Sequence, residues 1–217
     1  MAIKMTRFKE PILKKPLPKR LAVYGEPMAG KTTLAGKASK PYFISFDRNA
    51  KEAGYNGEVP EKYDDVINII DNAAEFGYET IVIDTVEDMA QLLEDEIISK
   101  YKANSLKDAN GGYGAGYSEF SKAFTSIVRA LSQSGLNVYY LMRARMTDDG
   151  LSVVLKDKQF DIIGGYSDGL IEINNKHEAK WMKKRYDWDE KELKKPLDAV
   201  LDPLKARNEK LKELGLD

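Results

Sequence analysis

The chain has 217 residues, enough for one α/β domain with a full core, and its 34 Lys and Arg against 35 Asp and Glu leave a formal net charge of −1. That balance excludes a global field that would draw in nucleic acid, so any such attraction has to arise from local asymmetry. The absence of cysteine excludes disulfides and thiolate chemistry, and a single histidine, His177, excludes a histidine-cluster zinc site. No apolar run approaches a membrane span or the core of a secretory leader, so the expectation is a soluble cytoplasmic protein with no membrane partner.

Residues 1–20 read as a basic arm, with seven basic residues against one acid, Glu10. Pro11, Pro16 and Pro18 oppose a helix there, while Phe8, Ile12, Leu13 and Leu17 offer apolar points for packing on a second subunit in a homo-oligomer; a solvated tail is the alternative. Next, the apolar run Leu21-Ala22-Val23-Tyr24 ends at Gly25-Glu26-Pro27-Met28-Ala29-Gly30-Lys31-Thr32. This matches the phosphate-binding loop G-x-x-x-x-G-K-[ST] at every fixed position, with Thr33 following and a helix predicted over 31–38. A strand before the loop and a helix after it make backbone N–H groups converge on an anion. Gly25 and Gly30 permit the tight turn and the close approach to phosphate oxygens; Lys31 reaches the β- and γ-phosphates, and Thr32 is a Mg²⁺ ligand.

Lys40-Pro41 breaks the chain, and a strand over 42–46 ends at Asp47. A carboxylate at that edge is a candidate for orienting or activating the attacking water, the alternative being a turn acid that caps Asn49 or the next helix. A helix is predicted over 61–76, stopped by Gly77. Thr80-Ile81-Val82-Ile83-Asp84 is an apolar strand ending in an acid, the Walker B pattern, which makes Asp84 the second candidate to hold Mg²⁺, directly or through water. Val86, Met89, Leu93 and Ile97 mark a packing helix. Residues 104–116 hold too many glycines for a regular element and read as a loop whose Tyr113, with Tyr117, offers a stacking face to a nucleic-acid base or to adenine; a plain connector is the alternative. Phe120, Phe124, Ile127 and Leu131 give a further amphipathic helix, and a strand over 137–142 leads to Arg143, a candidate sensor of the γ-phosphate.

Beyond it, 146–155 reads as a hairpin around Asp148-Asp149-Gly150 and 164–168 as a glycine-rich turn. Residues 170–173 and 179–183 read as antiparallel strands at a sheet edge, with His177 as a solvated residue among lysines. The domain organisation expected is an arm over 1–20, a core over 21–185 and a charged helical tail over 186–217, punctuated by Pro196 and Pro203.

The order of these elements, together with GEPMAGKTTLA, FISFD, ETIVIDT and YGAGYSEF, resembles the phage nucleotide-binding protein family of RecA-like P-loop ATPases, which includes the core-only RecA-like single-strand annealing proteins of bacteriophages. The resemblance covers about residues 21–173 and rests mainly on the phosphate loop. It implies an α/β fold with a RecA-like P-loop NTPase core, a mostly parallel sheet flanked by helices and carrying antiparallel edge hairpins. It also implies ATP and Mg²⁺ as ligands, hydrolysis, and single-stranded DNA as partner in phage recombination, annealing or replication within the host cytoplasm. Asp47 stands where relatives usually carry Glu, which argues against strong turnover, and Arg143 stands where they carry Gln or His. Arg143 is then either a fixed cation on the γ-phosphate or an ion-paired surface residue. Two other functions compete with the first: a nucleotide-dependent assembly or loader protein with weak ATPase activity, and a P-loop small-molecule kinase, for which Arg143 and Arg145 make a meagre lid.

Overall fold

The computed structural model describes residues 18–186, so nearly all of the expected basic arm and all but the first residue of the expected tail lie outside the described residues. In chain order the elements are β1 (Arg20–Gly25), α1 (Lys31–Ala35), β2 (Pro41–Ser45), α2 (Asn49–Glu52), β3 (Gly57–Glu58), α3 (Tyr63–Asn72) and β4 (Thr80–Asp84), then α4 (Val86–Tyr101), α5 (Ala115–Gln133), β5 (Asn137–Thr147), β6 (Gly150–Val153), α6 (Asp157–Tyr166), β7 (Gly169–Ile173) and β8 (Ala179–Lys184). The main sheet runs β3-β2-β4-β5-β1-β7-β8, with β6 added to the outer part of β5. Its inner pairings are parallel, and only β5 with β6 and β7 with β8 are antiparallel. This is the α/β architecture of a P-loop NTPase core.

Parallel strands covered on both faces read as continuous apolar runs, and β4, TIVID, is buried at every position. Strand alternation then divides the core into two layers. Ala22, Tyr24, Ile81, Ile83 and Tyr140 face α3, α4, α5 and α6, whereas Leu21, Val23, Val82 and Leu141 face Leu34 and Ala35 of α1 and Ala50 of α2.

The helix expected over 61–76 is regular only over Tyr63–Asn72, α2 and β3 were not expected, and three further elements differ from expectation. The helix after the phosphate loop is regular only to Ala35. The strand expected over 137–142 continues to Thr147, because beyond the parallel sheet it gains β6 as an antiparallel partner. Gly164 and Gly165 lie within α6 and not in a turn. A Cβ at either would meet nothing within 4 Å, so no close approach demands glycine there, and the burial of Gln159 and Ile163 on the inner side of α6 outweighs a helix penalty of about 1 kcal/mol per glycine.

One polar knot holds the amino edge of the sheet. Asp168, 6% exposed, accepts the N–H groups of Lys19 and Arg20 at 3.0 Å each and the Arg20 Nη2 at 2.8 Å. Burial pushes this carboxyl up, but the Arg20 side chain and the two N–H groups more than offset that, leaving it below the usual carboxylate range. Asp168→Asn is expected to cost about 1.5–3 kcal/mol in urea unfolding at neutral pH. Because the folded-state pKa is depressed, this contribution is fully present above about pH 4 and is lost as pH falls further, so the difference between wild type and variant should shrink in acid.

Candidate nucleotide site at the carboxyl edge of the sheet

The last residue of β1 has to be glycine because β7 passes too close for a side chain: a Cβ at Gly25 would lie 2.4 Å from the Ile173 carbonyl oxygen. The loop that follows turns through left-handed backbone at Met28 (φ 64°) and Gly30 (φ 101°), an arrangement that gathers successive N–H groups into a concavity suited to anions. Pro27 and Met28 are exposed at its rim, Ala29 is buried beneath it, and Glu26, Thr32 and Thr33 are half-buried. Lys31 is 8% exposed, and its Nζ donates to the carbonyls of Gly25 and Glu26 at 2.8 Å each. Burial lowers the Lys31 pKa, while the charges of Asp84 and Glu87 act in the opposite direction.

Asp84 closes β4 and is 4% exposed. Its Oδ2 accepts the hydroxyl of Thr32 at 2.9 Å, which joins the two expected metal ligands, one from α1 and one from β4. Burial raises the Asp84 carboxyl, the Thr32 hydroxyl lowers it, and the nearby Asp47 charge raises it again. A hydroxyl and a carboxylate side by side are hard oxygen donors of the kind Mg²⁺ takes, and a lysine beside an N–H-lined loop suits a polyphosphate. Thr32 and Asp84 would hold Mg²⁺, and the loop 25–33 would hold the nucleotide phosphates. Among the described residues no three His, Cys, Asp or Glu side chains are grouped to hold a metal ion.

Asp47 is exposed just past β2 and serves its own turn, accepting from the Ser45 hydroxyl at 3.2 Å and from the N–H and side-chain amide of Asn49 at 3.1 and 2.6 Å. Arg143 pairs with Asp88 of α4 at 2.5 Å, the ion-paired state that the sequence left open beside a phosphate contact. Two further residues belong to this edge and were missed. Glu87 of α4 accepts the Arg143 N–H at 3.0 Å, and burial raises its carboxyl. It falls in a helix that reads as pure packing, and its only sequence signal is proximity to Asp84. His177 is the correction: it is 4% exposed in the β7–β8 turn, with Nδ1 2.9 Å from the Ala29 carbonyl of the phosphate loop. Neighbouring lysines suggest solvent, but the strand order carries this turn onto the loop.

α4 leaves the carboxyl end of β4, and Lys100 in its last turn pairs with Glu119 near the start of α5 at 2.7 Å, so the segment between the two helices starts and ends near that meeting point. Tyr113 there is fully exposed and Tyr117 is 51% exposed, so neither folds back into the body. Arg145, Lys156 and Lys158 are exposed on and after the β5–β6 hairpin, Lys156 lying 3.9 Å from Glu94. No helix among the described residues is long and apolar enough to cross a membrane.

A family model described as an AAA domain matches residues 17–194, which takes in every element above. No curated protein matches the chain. Removing the loop cation gives the direct test of the site. Lys31→Ala should weaken ATP binding about ten- to a hundredfold, the equivalent of about 1.5–3 kcal/mol, with the fold retained by circular dichroism. Calorimetry showing unchanged affinity in a folded variant would remove the site from nucleotide binding.

Proposed function

The chain belongs to the AAA domain family, a P-loop ATPase-type domain, and from that premise we propose that it is a Mg²⁺-dependent ATPase acting on single-stranded DNA, of the RecA-like phage annealing type. The observation that carries the nucleotide part is the hydrogen bond from Thr32 to Asp84 beside the buried Lys31. In this reading Lys31 neutralises the phosphates, Thr32 and Asp84 hold the metal, and Arg143 exchanges Asp88 for the γ-phosphate. Mg²⁺ supplies charge neutralisation on the phosphates when bound. The family resemblance assigns Asp47 to the attacking water; its lone pairs here are engaged by Ser45 and Asn49.

The DNA part rests on exposed side chains of the segment between α4 and α5 and of the β5–β6 hairpin with the start of α6. A fully exposed tyrosine at the tip of a glycine-rich loop offers a stacking face, and Arg145, Lys156 and Lys158 offer charge to phosphates from the neighbouring hairpin and helix. The seven basic residues of the arm over 1–20 add positive charge to that surface, and a homo-oligomer is part of this reading. A second reading, an assembly or loader protein with weak turnover, is favoured by one observation, the exposure of Asp47 and its engagement with its own turn.

ATPase assays with and without single-stranded DNA separate these readings. Stimulation by DNA supports the first, flat low turnover the second, and transfer to a small-molecule acceptor would make the protein a kinase. In fluorescence anisotropy with a labelled oligonucleotide, Tyr113→Ala should cost roughly 1–3 kcal/mol of affinity while leaving the salt dependence nearly unchanged, because it removes a stacking face and no charge. Failure of the wild-type protein to bind at low salt in every nucleotide state would end the DNA reading.

A further inference from the structure

The turn between β7 and β8 delivers one side chain to the phosphate loop. β7 runs parallel beside β1 with Ile173 level with Gly25, so the residues beyond Ile173 lie next to the loop that begins at Gly25. Asn174 folds the turn. Its backbone carbonyl accepts the His177 N–H at 3.0 Å, and its side-chain Oδ1 accepts the N–H groups of Lys176 and Glu178 at 3.0 and 2.9 Å. His177 is thereby held in left-handed backbone, φ 57°, a conformation uncommon for a residue with a side chain and enriched where a site depends on it. The residue is buried, and its Nδ1 lies 2.9 Å from the carbonyl oxygen of Ala29 in the phosphate loop. A carbonyl oxygen only accepts, so Nδ1 carries the hydrogen of this bond.

In a trans peptide the C=O and N–H point to opposite sides of the chain. Holding the Ala29 carbonyl toward a buried ring therefore turns the Gly30 N–H away from the protein interior. Without that bond little opposes rotation of the Ala29–Gly30 peptide, because Gly30, at φ 101°, has no Cβ to clash as the unit turns. A rotated peptide would present a carbonyl oxygen, and not an N–H, to an incoming phosphate. We propose that His177 is a positioning residue for phosphate binding: it locks the Ala29–Gly30 peptide with the Gly30 N–H toward the nucleotide phosphates, so that the loop is set for an anion before the nucleotide arrives. The assignment rests on the nucleotide reading of the loop above. Apparent affinity then follows the fraction of molecules whose peptide is in the receptive orientation, which the imidazole holds near one.

The test uses the full chain and calorimetry with ATP and, separately, with inorganic tripolyphosphate, each with Mg²⁺. His177→Phe keeps a buried ring without the donor. His177→Gly removes the donor and relieves the left-handed backbone, so the turn keeps its shape even where the bulkier variant disturbs it. Both should weaken ATP and tripolyphosphate about tenfold and to the same extent, because the N–H concerned meets phosphate and not the base. His177→Asn sets an amide donor where Nδ1 stands and accepts left-handed backbone, and it should recover most of the lost affinity. Affinities within about twofold of wild type in both His177→Phe and His177→Gly would overturn the assignment. So would an equal loss in His177→Asn and His177→Gly, or a loss that follows the thermal midpoint of the unliganded variants, either of which marks a purely structural residue. A wild-type chain that binds neither ATP nor tripolyphosphate would overturn the nucleotide reading itself, and this assignment with it.

Discussion

Lys31 is a cation held out of water, and the carboxyl edge of the sheet is arranged around that fact. An ammonium group that loses its hydration needs donors satisfied and opposite charge nearby. The carbonyls of Gly25 and Glu26 take two of its hydrogens, and Asp84 and Glu87 supply the charge. Each partner then inherits a constraint. The loop beyond these carbonyls turns through left-handed backbone at Met28 and Gly30, and burial raises each of the two carboxylates. A polyphosphate in the loop would take over the role that the two carbonyls now play.

The strand order sets the distances within this cluster. β5 separates β1 from β4, so the phosphate loop and Asp84 are joined by the reach of Thr32 across to Asp84 and not by neighbouring backbone. The gap of one strand leaves space above β5, and Arg143, Glu87 and Asp88 fill it. On the other side of β1, β7 comes close enough to forbid a side chain at Gly25, and its hairpin turn brings His177 under the loop. The phosphate loop is thus braced from both flanks.

Much of this was legible in the residues. The phosphate loop and Asp84 announce themselves because they combine fixed residue types with an apolar run that only a buried parallel strand explains, and the β5–β6 hairpin follows from Asp148, Asp149 and Gly150 at its turn. Glu87 and His177 were not legible. Both act through contacts between segments far apart in sequence, Glu87 with β5 and His177 with the loop 148 residues earlier, and local composition contains no trace of either. Gly164 and Gly165 misled for a related reason: glycine raises the local cost of a helix, but burial of Ile163 on the inner side of α6 decides the outcome.

The two margins of the main sheet are closed to further strands in different ways. At one side β3 has only two residues, too few to template a partner. At the other, β8 carries Lys180, Lys183 and Lys184, and a lysine-bearing border disfavours the approach of a second sheet through charge repulsion and the cost of desolvation. Among the described residues, continuation of the sheet from one copy into another is disfavoured at both margins. Contacts made instead through helix faces and loops would leave the backbone ladder beneath the phosphate loop untouched.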